Sequence, residues 1–340
     1  MTDSRTSRQT NSASASGPVE PLLPAEAAAV CRLVLDRVGE AVVGKRGALE
    51  LVLAGILAGG HVLLEDFPGL GKTLAARTFA QTLGLDFRRV QFTPDLLPSD
   101  VTGSFIFDRR TSEFIFRPGP LFSGLLLADE INRTPPKTQS ALLEAMQERQ
   151  VTSEGQTFAL PLPFHVLATA NPIEYEGTYP LPEAQLDRFL LRVGFGYPTA
   201  DEEWDILGRR ISRQTEDQQV AQVTDAAGLR AVQAAVERIV LDETVGRYCV
   251  ELAAATRGHP KIMVGASPRG SLALMMSARS YALVRGRDYV VPEDVKHVAV
   301  AALAHRISLK PELWLHQVSA ESVVEEVLAA VPTPSTTPPR

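Results

Sequence analysis

Residues Leu64-Glu65-Asp66-Phe67-Pro68-Gly69-Leu70-Gly71-Lys72-Thr73 constrain this chain more than any other stretch. The apolar run His61-Val62-Leu63-Leu64 precedes them and reads as a strand. Leu74-Ala75-Ala76-Arg77-Thr78-Phe79-Ala80 follows and reads as a helix. Strand, glycine-bearing turn, Gly-Lys-Thr and helix is the layout of a phosphate-binding loop. Gly69 and Gly71 let the backbone curl so that its N–H groups point at oxyanions. The helix N-terminus adds partial positive charge, Lys72 can reach β- and γ-phosphates, and Thr73 offers a hydroxyl to Mg²⁺.

The loop departs from the full pattern at one place. Glycine is expected five residues before Gly71, and Asp66 stands there. The inner Gly-x-Gly-Lys-Thr is intact. A chance Gly-Lys-Thr turn opening an ordinary helix is the bland alternative, and the flanking strand and helix weigh against it.

At 340 residues, the chain has room for two domains of ordinary size. It is 45% hydrophobic and 22% charged, the balance of a globular protein with an adequate core. The net charge of −6 gives no basic domain of the kind a dedicated nucleic-acid binder shows. Arg109-Arg110 could still touch phosphate, but reads far better as solvated turn charges. Cys31 and Cys249 lie far apart in helix-like apolar stretches, with neither metal spacing nor a disulfide framework, so buried thiols in a reducing cytosol are expected. The apolar stretch between Glu50 and Glu65 is interrupted by glycines and falls short of the roughly 20 residues that span a bilayer. The Ser/Thr-rich start carries no signal-peptide core, so a cytoplasmic location is expected.

Residues 1–24 and 331–340 are rich in Ser, Thr and Pro without periodicity, and are expected to be a disordered leader and tail. Residues 25–198 alternate helical and strand patterns, which predicts a doubly wound parallel sheet. Its strands are expected at Val62–Glu65, Phe87–Phe92, Leu125–Asp129, Phe164–Thr169 and Leu190–Phe195. Residues 199–330 show almost no strand signal and predict a small all-helical domain. Leu272, Met275, Met276, Arg279 and Leu283 read there as a core stripe. Two hairpins interrupt the first region. Ser104–Phe107 and Phe114–Phe116 flank the turn Asp108–Glu113, and Val151-Thr152 and Thr157–Leu160 flank Ser153–Gln156.

Other chemistry sits at predicted strand ends. Leu125-Leu126-Leu127-Ala128-Asp129-Glu130 places two carboxylates at the carboxyl edge of the sheet, where open α/β folds bind ligands. Asp129 is suited to hold Mg²⁺ opposite Thr73, and Glu130 to polarise an attacking water. Phe164–Asn171 ends in an amide that could orient that water, although Asn-Pro is also a common turn. His165 reads as a satisfied sheet histidine rather than a ligand. Asp187-Arg188 ends a short helix, and Arg269 opens a helix after Ser267-Pro268. Either guanidinium suits a transferring phosphoryl, Arg269 reaching it from the helical domain; either could equally be a surface arginine.

Taken together and in order, these motifs resemble an AAA+ ATPase of the MoxR branch. They run from Pro68–Thr73 through Ala128-Asp129-Glu130-Ile131-Asn132-Arg133, Ala141–Glu148 and Ala168-Thr169-Ala170-Asn171-Pro172 to Leu181–Phe189 and Gly265–Arg269. The resemblance covers about Val42 to Ile307 and implies a P-loop NTPase core followed by a helical lid. It implies ATP and Mg²⁺ as ligands. Pro68, Gly69, Leu70, Gly71, Lys72, Thr73 and Leu74 would form Walker A, with Val43 and Gly44 near adenine. Asp129 and Glu130 would form Walker B, with Thr73 and Asp129 on the metal. Asn171 matches sensor 1, Arg188 an arginine finger acting on a neighbouring subunit's nucleotide, and Arg269 sensor 2. The hairpins match the helix-2 insert and the pre-sensor-1 hairpin of this clade. Hexameric rings and partners carrying a von Willebrand factor A domain are also implied.

The expected function is therefore ATP hydrolysis in a ring that remodels a partner protein. A nucleic-acid motor is the rival within the enzyme class, disfavoured by the acidic balance and the missing aromatic or basic platform. A nucleotide-gated scaffold with little hydrolysis is the rival outside it. Such a scaffold would not need both Glu130 and Asn171.

Overall fold

The computed structural model describes residues 19–171, 178–215, 218–316 and 318–335. Most of the expected leader, the end of the tail and Pro172 of the expected sensor 1 motif lie outside the described residues. The first helix starts at Pro24, where proline's fixed φ suits the first helical turn.

Five parallel strands form the central sheet: β1 (Val62–Glu65), β2 (Phe87–Gln91), β5 (Leu125–Asp129), β8 (His165–Ala170) and β9 (Leu191–Val193). Their order is β2-β5-β8-β1-β9. Val62 lies opposite Leu167 on one side and Leu191 on the other, so β1 and its phosphate loop sit inside the sheet. Each expected strand is found, within a residue or two at its ends. Strands buried on both faces read as continuous apolar runs, and alternate residues explain why. Leu125 and Leu127 face one core, and Leu126 and Ala128 the other.

Helices α1 (Pro24–Ala41), α2 (Arg46–Leu57) and α3 (Lys72–Thr82) cover the first face, while α4 (Pro98–Thr102) and α5 (Pro136–Glu148) lie over the second. The two hairpins are present as β3 (Gly103–Asp108) with β4 (Glu113–Pro118), and β6 (Gln150–Ser153) with β7 (Gln156–Ala159). They are joined by aromatic packing: Phe116 stacks on Phe158 at 3.9 Å between ring centres. Phe107 and Phe114 pair on the outside, with Phe114 70% exposed.

After the short α6 (Glu183–Leu186) and β9, the chain continues as α7 (Ala200–Arg213), α8 (Ala226–Val236), α9 (Glu243–Gly258), α10 (Pro268–Val284), α11 (Pro292–Leu303) and α12 (Ala320–Ala330). This region is not purely helical, because Ile262–Val264 pairs antiparallel with Ser308–Leu309. Strands of three and two residues carry too little periodicity to read from sequence. The expected core stripe of α10 is also corrected. Leu272 is exposed and Met275, Met276 and Arg279 are half-buried, while Leu283 is buried as expected, on a face with Ala273, Leu274, Ser277, Ala278, Tyr281 and Ala282. Small residues let α10 approach α2, α1 and α11 closely, so bulk was the wrong marker of burial. Helices α1 and α2 share one continuous apolar core with α8 to α12. Arg192 on β9 adds a polar tie, bonding Glu65 at 2.8 Å and also Glu321 of α12.

His61 and His165 are buried at the amino edge of the sheet, and every ring nitrogen is used. His61 Nε2 donates to the Met146 carbonyl and its Nδ1 accepts from the Val166 amide. His165 Nδ1 donates to the Gly60 carbonyl and its Nε2 accepts from Gln233. His165 is thus a satisfied sheet histidine. Burial holds both rings neutral, with pKa values lowered to about 3 for His61 and about 4 for His165. Below pH 6.5 the unfolded chain takes up protons that the fold refuses, so stability rises with pH through that window. The slope is about 1.4 kcal/mol per pH unit for each histidine. Urea midpoints are therefore expected to decline as pH falls from 6.5 towards 4. A midpoint flat across that range would contradict the neutral pair. Cys31 and Cys249 are free and buried, and burial pushes each thiol up to about 12, leaving them unreactive.

Candidate nucleotide site

The turn after β1 holds Gly69 at φ 82° and Gly71 at φ 86°, left-handed values that a side chain would strain. Gly71 is the N-cap of α3, so the first free N–H groups of that helix open into the loop. Asp66 explains the missing glycine. Its Oδ1 accepts from the Phe67 amide at 2.8 Å, and its Oδ2 accepts from the amides of Phe195 at 2.7 Å and Gly196 at 2.5 Å. The carboxylate staples the loop's entrance to the chain leaving β9, a task glycine could not perform. Lys72 Nζ donates to the Asp66 carbonyl. Burial lowers the Lys72 pKa, against the pull of Asp66, Asp129, Glu130 and Glu65.

A cleft of about 340 Å³ lies at the carboxyl edge of the sheet. Pro68, Gly69, Gly71, Lys72, Thr73 and Leu74 line it from the loop, with Asp129, Glu130 and Asn171 from the strand ends. Leu70, Val43 and Gly44 do not line it. Their neighbour Lys45 donates to the Tyr197 carbonyl, and the Tyr197 ring packs on Phe67 of the phosphate loop.

Side chains without a motif of their own hold the carboxylates. Thr169 Oγ1 donates to Asp129 Oδ1 at 2.6 Å and accepts from the Glu130 amide at 2.7 Å. Arg89 places its guanidinium on Asp129 Oδ2, with bonds of 3.0 and 2.8 Å. Glu130 adopts a left-handed backbone at φ 57°, a strained state typical of functional positions. Its Oε2 accepts from Gln91 at 2.6 Å and Arg133 at 2.9 Å. Asn132 donates to the Asn171 carbonyl. Arg89 and Gln91 alternate on β2, and Thr169 lies two residues before Asn171. Polar residues at two-residue spacing near strand ends were the available signal.

Arg188 and Arg269 are elsewhere. They line a second cleft, of about 290 Å³, with Gly60, His61, Arg149 and Arg306. Gly60 and His61 precede β1 and Leu190 precedes β9, so this cleft is at the amino edge of the sheet, opposite the phosphate loop. Within its own chain Arg269 does not face the phosphate-loop cleft. Helix α10 docks on α1 and α2 and carries its N-terminus to the wrong edge. There Arg269 faces Asp187 Oδ2 at 3.6 Å, and Arg306 holds Asp187 Oδ1 at 2.8 Å.

Residues 61–191 match the model of the ATPase family associated with various cellular activities (AAA), and residues 254–327 match the AAA lid domain. Chaperone MoxR1 of Mycobacterium tuberculosis is 46% identical over 86% of this chain and 79% of its own length. Protein MoxR of Methylorubrum extorquens is 31% identical over 86% of this chain and 91% of its own. The chain belongs to the MoxR family of AAA+ ATPases. The fold of this MoxR-family chain agrees with a solved Cytophaga hutchinsonii structure at TM-score 0.85 and 41% identity, covering 92% of this chain and 97% of the other. Among the described residues, no helix is long and apolar enough to cross a membrane.

Proposed function

We propose that the protein hydrolyses ATP with Mg²⁺ as a ring of identical subunits and uses nucleotide state to move its hairpins against a protein partner. One observation carries the reading: the phosphate-loop cleft and the arginine cleft occupy opposite edges of one sheet. The six residues of β8 alone separate those edges by roughly 20 Å, at about 3.3 Å per residue. An arginine cannot cover that distance within its own chain. A head-to-tail neighbour, however, can present its arginine edge to this subunit's nucleotide, and heterologous contacts of that kind form rings when the rotation between subunits closes.

Within one subunit the loop amides and Lys72 bind the phosphates, and Asn171 orients water. Glu130 takes the water's proton once its carboxylate leaves Gln91 and Arg133. Thr73 and Asp129 form a hard oxygen donor set suited to Mg²⁺, and the Arg89 guanidinium now on Asp129 marks a position made for a cation. When bound, Mg²⁺ supplies charge neutralisation at the phosphate oxygens. The named relatives support a chaperone-like role, and the family resemblance supports a partner with a von Willebrand factor A domain. The hairpins, exposed and joined through Phe116 and Phe158, are suited to touch it.

Replacing Asp108–Glu113 and Ser153–Gln156 with Gly-Ser tests the reading. Turnover is expected to persist while capture of a co-expressed von Willebrand-type partner falls at least tenfold. Undiminished capture would remove the hairpins from the mechanism. No turnover with ATP and Mg²⁺ at any concentration, even in the parent, would favour the nucleotide-gated scaffold.

A further inference from the structure

We infer that Arg149 is a third arginine acting on the neighbouring subunit's nucleotide, and that it ties that nucleotide to the β6–β7 hairpin. The inference rests on the proposed reading of the arginine cleft.

Among the described residues, four guanidinium groups line this cleft, those of Arg149, Arg188, Arg269 and Arg306, against the single carboxylate of Asp187. They are not equivalent. Arg306 is buried and spent on structure, bonding Asp187 and the carbonyls of Phe189 and Leu190. Arg269 shares Asp187. Arg149 is exposed, and among the described residues it has no carboxylate partner. Its one hydrogen bond there is a long 3.4 Å contact to the Gly59 carbonyl. An excess of positive charge held open at a surface suits an anion brought from outside.

The backbone points the same way. Arg149 is the C-cap of α5 at φ 52° and ψ 33°, the left-handed conformation for which glycine is the natural residue. An arginine there strains the chain, which suits a side chain that is used. The residue is also the root of the hairpin: β6 begins at Gln150, and the Leu160 amide closes the loop on the Arg149 carbonyl at 2.9 Å. A pull on the guanidinium is therefore delivered at the base of β6 and β7. Phe158 on β7 passes it to Phe116 of the other hairpin.

Arg149→Gly separates charge from fold, because glycine relieves the backbone. In the full-length assembled protein this variant is expected to keep or raise the melting temperature while turnover falls at least tenfold. Mixed with Lys72→Ala subunits, which keep Arg149 but lack a working phosphate loop, it should regain part of that activity. ATP-dependent changes in amide exchange over residues 150–159 should be lost. Arg149→Lys should restore part of both. Parent-like turnover with unchanged exchange would overturn the inference, as would a loss that mixing cannot restore, since Arg149 would then act within its own subunit. Arg188→Ala run in parallel separates the two levels. If that variant is impaired and Arg149→Gly is not, only this inference fails; if both behave like the parent, the reading of the cleft itself fails.

Discussion

Glu130→Gln is expected to bind ATP as tightly as the parent and to lose about 10²- to 10⁴-fold in turnover, the usual contribution of a positioned general base. Glutamine keeps the hydrogen-bonding shape but cannot accept the proton of the attacking water. The Glu130 backbone amide still reaches Thr169, so the strand end stays in place. Lys72→Ala removes a different function, since that ammonium is the cation of the phosphate loop, and nucleotide binding itself should weaken. Binding of a fluorescent ATP analogue and phosphate release, measured on both variants, distinguish the two losses. The pairing of Glu130 with Gln91 sharpens the test. Gln91→Ala frees one hydrogen bond on the same carboxylate oxygen and should raise basal turnover rather than lower it. Parent-rate hydrolysis by Glu130→Gln would remove Glu130 from the role of base.

Local patterns announced most of this architecture because the features concerned are local. The five sheet strands are runs buried on both faces, and the hairpins alternate around polar turns. Lys72, Thr73, Asp129, Glu130 and Asn171 converge because each ends or follows a parallel strand at the same edge of one sheet. What sequence withheld was long-range. Nothing near Arg269 states that α10 docks against α1 and α2, and that docking alone places the arginine at the amino edge. Asp66 looked like a blemish in the phosphate loop because its partners, Phe195 and Gly196, lie about 130 residues away. The α10 stripe holds only at Leu283 because much of the buried face is Ala and Ser, which bulk does not mark, alongside Leu274 and Tyr281. Arg149 gave no periodic or motif signal. Its meaning appears only when the left-handed cap and the arginine cleft are seen together.

Arg188→Ala should bind ATP and hydrolyse it about 10³- to 10⁵-fold more slowly, the range over which an arginine finger contributes. No surface ion pair contributes on that scale. Position is the reason for expecting so large an effect from a residue outside the phosphate-loop cleft. Arg188 follows α6 and precedes β9, at the edge of the sheet away from Lys72, so its own nucleotide is out of reach. Turnover per subunit should accordingly rise with protein concentration as neighbours assemble, even though each subunit is expected to bind ATP alone. Mixing gives the decisive comparison. An Arg188→Ala subunit retains its phosphate loop, and a Lys72→Ala subunit retains its arginines, so a mixed ring would contain interfaces at which both halves of the proposed site are intact. Two inactive preparations are then expected to regain part of the parent rate on mixing, in proportion to the fraction of such interfaces. Light scattering on the Lys72→Ala protein with ATP tests whether it enters rings. If it does and mixing restores nothing, or if turnover is independent of concentration and Arg188→Ala hydrolyses normally, then Arg188 is an ordinary surface arginine and each subunit completes its site unaided.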